Sequence, residues 1–166
     1  MPERDPIREA HRQWVDHGWY DAADGMAMVT SVVRVHQLLM ERIDACLRPR
    51  DLTFARYEIL RLLSFSRERS MPMTRLGSLL QVHPTSVTSA VDRLVKQGFV
   101  ERSRGETDRR VVLATLTAAG AEVVEEATVA LNSEVFEKPG IGAEQVSALT
   151  GLLGAVRAAT GDRVED

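Results

Sequence analysis

Between Met26 and Leu47 the apolar positions step by three and four: Val29, Val32, His36, Leu39, Ile43 and Cys46. Met28, Val35 and Leu38 widen that stripe. This spacing predicts one long amphipathic helix, ended by Pro49, which cannot continue the hydrogen-bond ladder. The preceding residues 1–20 are polar, with Trp14, Trp19 and Tyr20 as apolar anchors. They predict a short helix over about 6–16 and a turn at Gly18. After Pro49, Thr53 is placed as an N-cap for a helix reaching Phe65 and carrying Phe54, Tyr57, Leu60 and Leu63.

The pattern then shortens. Ser70 to Met73 predicts an extended stretch, and Thr74 a cap for a brief helix with Leu76, Leu79 and Leu80. Gln81-Val82-His83 predicts a turn. Pro84 suits a first helical position, where its missing N–H costs nothing. The helix it opens is predicted to bury Val87, Val91, Leu94 and Val95, and Gly98 is its stop. Phe99–Arg102 and Val111–Leu116 predict two strands, joined by a polar loop, Ser103–Arg110, that contains Gly105. Thr117 then caps a long helix with Val124, Ala127, Leu131 and Val135 on one face, broken at Lys138-Pro139-Gly140. A last helix carries Val146, Leu149, Leu153 and Val156. The predicted fold is mainly α with a small β-hairpin wing: a winged helix-turn-helix lobe over 51–117, flanked by helices in 1–50 and 118–166. The outer helices present apolar faces with no partner inside so small a lobe, which points to a homodimer.

In a winged helix-turn-helix the second helix enters the major groove. Here its outer face offers Thr85, Ser86, Thr88, Ser89, Asp92, Arg93 and Lys96. Small hydroxyls allow close approach and bond to phosphates or base edges, and Pro84 leaves free helix N–H groups near the DNA. A Ser- and Thr-rich face on one helix is also what a solvated surface looks like. The basic hairpin that follows at once separates the two readings. Charge supports the same conclusion despite a net charge of −3 over the 166 residues. Residues 81–117 hold six basic and four acidic side chains, a net +2, whereas residues 118–166 hold three and nine, a net −6. A local basic element on an acidic body can still meet phosphates.

The hairpin reads Asp108-Arg109-Arg110-Val111-Val112-Leu113-Ala114-Thr115-Leu116-Thr117. It resembles the wing signature of the MarR family of bacterial regulators: Asp-x-Arg, five residues, then Leu-Thr. The run Val82–Arg102 resembles that family's recognition helix and its exit into the wing. The resemblance implies that Arg110 inserts into the minor groove, that Asp108 orients its guanidinium, and that Arg109 assists at phosphates. The Asp108–Arg110 pair also has a plainly structural use, stiffening the hairpin. The resemblance further implies intertwined N- and C-terminal helices in a two-fold dimer. That would set two recognition helices roughly 34 Å apart, on a near-palindromic operator. It also implies a dimeric repressor released by a small aromatic or anionic effector, with His36, Met40, Phe54, Arg56 and Tyr57 as candidate liners.

Other features point elsewhere only weakly. His36 is either a core histidine or a cavity liner. The lone Cys46 excludes an internal disulfide framework and reads as a buried structural thiol rather than a redox sensor. His11, His17, His36 and His83 have no metal-ligand spacing, and no cofactor is expected. Trp14 and Trp19 could stack on an aromatic ligand, but suit the edge of a dimer core better. No phosphate loop and no nucleophile–base arrangement is present, so no enzyme is expected. The charged opening residues and the lack of a long apolar run fit a cytoplasmic protein. The alternative reading is a winged-helix module that binds protein and not DNA.

Overall fold

The computed structural model describes residues 5–80, 84–105 and 108–162. The turn expected at Gln81–His83 lies outside the described residues. The chain divides into two compact units, Met1–Phe54 and Ala55–Asp166.

The first unit is built from two helices. Helix α1 spans Pro6–Asp16, as its pattern predicts, and Asp5 caps it by accepting from the Ile7 N–H at 3.0 Å. Helix α2 spans Tyr20–Leu47, six residues more at its start than the apolar stripe indicates. The added turns pack on α1 rather than extending the stripe: Ala23 is buried, and Asp24 bonds His11 of α1 at 2.9 Å. Between the helices the chain turns at Gly18, where φ is +83°, a conformation that costs glycine little. Trp14 and Trp19 meet edge to face across this turn, with ring centres 5.4 Å apart. The helix ends at Leu47, and Arg48–Arg50 forms a short 3-10 turn that accommodates Pro49. Cys46 is half-buried, less enclosed than expected.

The second unit holds the remaining elements. Helix α3 spans Phe54–Phe65, beginning right after Thr53, and buries Tyr57, Ile59, Leu60 and Leu63. Ser70–Pro72 forms a true strand, β1, where only an extended stretch was expected. Helix α4 spans Met73–Leu80, so Thr74 sits inside its first turn and does not cap it. Helix α5 spans Pro84–Lys96 and buries Val87, Val91 and Leu94, but Val95 is 38% exposed. The wing strands are β2, Val100–Arg104, and β3, Val112–Leu116. They pair antiparallel, with Val100 opposite Leu116 and Arg104 opposite Val112, so β2 runs two residues further toward the tip than its apolar residues suggest. β1 pairs with the other edge of β3, giving the order β1-β3-β2. Helix α6 spans Ala118–Leu131 and continues into a wider π turn over Asn132–Phe136, which buries Val135. Helix α7 spans Ala143–Ala159 and has no fully buried side chain.

One junction ties these pieces together. At the end of α5 the amides of Gly98 and Phe99 bond back to Val95 and Leu94, closing a Schellman motif around Gly98, whose φ is +76°. Thr117 then serves two elements. Its hydroxyl donates to the Gly98 carbonyl at 2.7 Å and accepts from the Gly120 N–H at 3.0 Å, capping α6. Its own amide donates to the Phe99 carbonyl at 3.1 Å.

Candidate nucleic-acid interface

Apolar residues at i, i+4 and i+7 turn one side of α5 into the core, leaving Val87, Val91 and Leu94 at most 2% exposed. The same periodicity turns Thr85, Ser86, Thr88, Ser89, Arg93 and Lys96 outward, and all of these are exposed. The helix begins at Pro84, as expected.

The wing tip is held by local bonds. Gly105 donates to the Val111 carbonyl at 2.9 Å, and Val111 donates to the Asp108 carbonyl at 3.1 Å. A side chain on Gly105 would lie 2.9 Å from the Asp108 carbonyl oxygen, so the turn closes only with glycine there. The Asp108 carboxylate accepts from the backbone N–H of Arg110 at 2.9 Å. This is an Asx-type turn that shapes the tip itself. The expected bond from Asp108 to the Arg110 guanidinium is not among those of the described residues; the aspartate holds backbone instead. Asp108, Arg109 and Arg110 are all exposed.

Three braces that the pattern did not reveal fix the recognition helix. Arg102 of β2 pairs with Asp92 of α5 at 2.6 Å and donates to the Thr88 carbonyl at 3.4 Å. Arg56 of α3 donates to Gln97 Oε1, just past the end of α5, at 2.7 Å. The Thr117 junction holds the exit from the helix. Thr88 and Asp92 lie four residues apart on one helical face, and that spacing was the available signal for a shared partner.

Behind this surface, α3 is pinned to α6. Tyr57 is buried, and its hydroxyl bonds the Thr128 hydroxyl at 3.0 Å. Arg61 reaches Thr128, the Val124 carbonyl at 3.2 Å and Glu125 at 2.8 Å. Burial alone would pull the Arg61 guanidinium down. The bond to Glu125, with Tyr57 beside it, carries it above its ordinary value instead. The same bond to Arg61 holds the Glu125 carboxyl below its ordinary 4.5. Glu58, on the same helix as Arg61, is raised from 4.5 by partial burial.

The candidate effector residues are drawn from both units. Met40 is half-buried and His36 exposed on α2 in the first unit, where Phe54, half-buried, is the last residue. Arg56 and Tyr57 belong to the second unit and are engaged there with Gln97 and Thr128. No helix among the described residues is long and apolar enough to cross a membrane.

Two successive helices, α4 and α5, packed with a three-stranded sheet whose β2–β3 hairpin carries a basic tip, define a winged-helix protein of the DNA-binding type. Comparison with known proteins narrows this. The MarR family model matches residues 52–112. A MarR family transcriptional regulator from Streptomyces coelicolor superimposes with a TM-score of 0.76 and 43% identity, covering 86% of this chain and 99% of that one. A second regulator from the same organism, solved in complex with DNA, gives a TM-score of 0.73 and 26% identity, over 82% of this chain and 88% of its own. An uncharacterized helix-turn-helix regulator of Bacillus subtilis (strain 168) is 33% identical over 87 residues, 52% of this chain. The chain spans 55% of the length of that relative. The chain belongs to the MarR family of transcriptional regulators.

Proposed function

We propose that the protein is a dimeric, sequence-specific DNA-binding repressor. It reads the major groove with the outer face of α5 and the adjacent minor groove with the wing tip. The observation that carries this reading is a single compact unit that presents the exposed Thr85–Ser89 face and the exposed Arg109–Arg110 tip together. A protein-docking winged helix needs neither a hydroxyl-rich helix face nor a basic tip. The Streptomyces coelicolor relative solved with DNA supports the same choice.

Dimer formation is supported by apolar side chains left in solvent on two helices, including Val29, Val32 and Val35 of α2 and Leu152 and Val156 of α7. Covering these faces with a second copy would place two α5 helices on half-sites one turn apart. A small aromatic or anionic effector that favours a different spacing of those helices would release the operator. His36, Met40, Phe54, Arg56 and Tyr57 are the proposed contacts for it.

The test is selection of bound sequences from random duplex DNA, followed by a salt-titrated mobility shift on the consensus. A two-fold related consensus, bound with an affinity that falls steeply with salt, is the expected result. Recovery of no consensus, with salt-insensitive binding, would overturn the reading in favour of protein docking.

A further inference from the structure

Arg102 closes the run that leads from the recognition helix into the wing, and it joins the interface's two halves. It sits on β2 opposite Ala114 of β3, in the strand pair whose connection carries Arg109 and Arg110. Its guanidinium spans two successive turns of α5, pairing with Asp92 at 2.6 Å and donating to the Thr88 carbonyl at 3.4 Å. Asp92 is the one carboxylate on α5, and its side chain is half-exposed. Left uncompensated, it would face a polyanion.

We propose that Arg102 is a positioning residue that locks the wing to the recognition helix and masks Asp92. The major-groove and minor-groove readers then approach DNA as one preset body. This inference rests on the DNA-binding reading above. A partly exposed ion pair adds little to folding stability. Its value here lies in binding, because ordering the wing against α5 is done on folding and not at the moment of association. The competing role for Arg102 is a direct phosphate contact.

The two roles separate by salt dependence and by charge exchange. In the full-length protein on its selected operator, Arg102→Met is expected to weaken binding about tenfold through the lost coupling. The slope of log affinity against log salt should stay unchanged, because no phosphate contact is lost. The exchanged pair Arg102→Asp with Asp92→Arg should recover affinity to within about threefold of wild type, as should Arg102→Lys, which keeps the ion pair. Hydroxyl-radical footprints of Arg102→Met should lose protection at the wing flank and keep it in the major groove.

A slope reduced by about 1 in Arg102→Met would identify a phosphate contact and overturn the brace. Failure of the exchanged pair to recover binding would also overturn it. Thermal melts accompany each variant, and if Arg102→Met does not fold, the exchanged pair carries the test alone. Salt-sensitive binding by wild type in the same titration sustains the DNA-binding reading whatever the variants do, so the two failures are distinguishable.

Discussion

Gly120 has no room for a side chain. A Cβ there would stand 2.1 Å from the Phe99 carbonyl oxygen and 2.8 Å from Leu116 Cδ1. Backbone cannot swing aside as a flexible side chain can, so Gly120→Ala must move α6 off the exit of α5. It is expected to cost about 2–3 kcal/mol, the upper part of the usual range for an overpacked core. Chemical denaturation measures this, and an unchanged midpoint would show that the contact is not tight. Within the run Ala118-Ala119-Gly120-Ala121 the glycine reads as a small residue in a helix, because the crossing chain that demands it lies far away in sequence. At the tip, Arg110 is exposed on a turn shaped by Asp108. Arg110→Ala is expected to weaken operator binding by about 1–3 kcal/mol. Equal affinities at physiological salt would remove the wing from the interface. Glu125 provides a pH signature. Its folded pKa lies below the ordinary 4.5 because Arg61 favours the carboxylate. The pair therefore contributes stability above that value and loses it as pH falls through the depressed folded pKa. Glu58 has the opposite sign, its raised pKa favouring the fold at lower pH. Comparing wild type with Glu125→Gln cancels the Glu58 contribution. Melts from neutral to acid pH should show Glu125→Gln less stable at neutral pH, with the gap closing on acidification.

Helices and strands were legible where their own residues decide them. Pro6 to Asp16, the start of α3 after Thr53 and the cap at Thr117 follow from local spacing and capping chemistry. What local sequence leaves open depends on a partner. The first six residues of α2 carry little of the apolar stripe and are held by packing on α1. β1 is a strand only because β3 offers it an edge. Ser103 and Arg104 join the ladder by register and not by hydrophobicity. The outward face of α5 was legible from its period, while the Asp92–Arg102 and Arg56–Gln97 braces were not, since each depends on how one element packs against another. Thr117 illustrates how a short signature acquires meaning. Its place at the end of the wing motif follows from bonds to both Gly98 and Gly120. Thr117→Val removes both and should cost about 1–2 kcal/mol, the high end for a lost cap. Faster amide exchange at Gly120 is the matching observation, and unchanged protection would mean that the hydroxyl is dispensable.

The two compact units leave apolar side chains of α2 and α7 about half in solvent, and each valine or leucine covered by a second copy would contribute on the order of 1 kcal/mol, roughly half the value for a fully exposed side chain. Sedimentation at micromolar concentration is expected to show a dimer. Paired Leu152→Lys and Val156→Lys substitutions on α7 should shift it to monomer and abolish binding to the two-fold operator while the single unit stays folded. A wild-type monomer would place the half-sites in separate molecules. The small sheet bears on this question from its edges. A strand at the rim of a sheet is a template for unwanted partners unless charge or proline blocks it. Here β1 is three residues long and ends in Pro72, and the outer run of β2 is Glu101-Arg102-Ser103-Arg104, all exposed. Neither rim invites another chain to add a strand. The wing can thus remain uncovered between encounters with DNA without seeding fibrous aggregates, and association between copies is channelled to the helices, where it can close on itself at two.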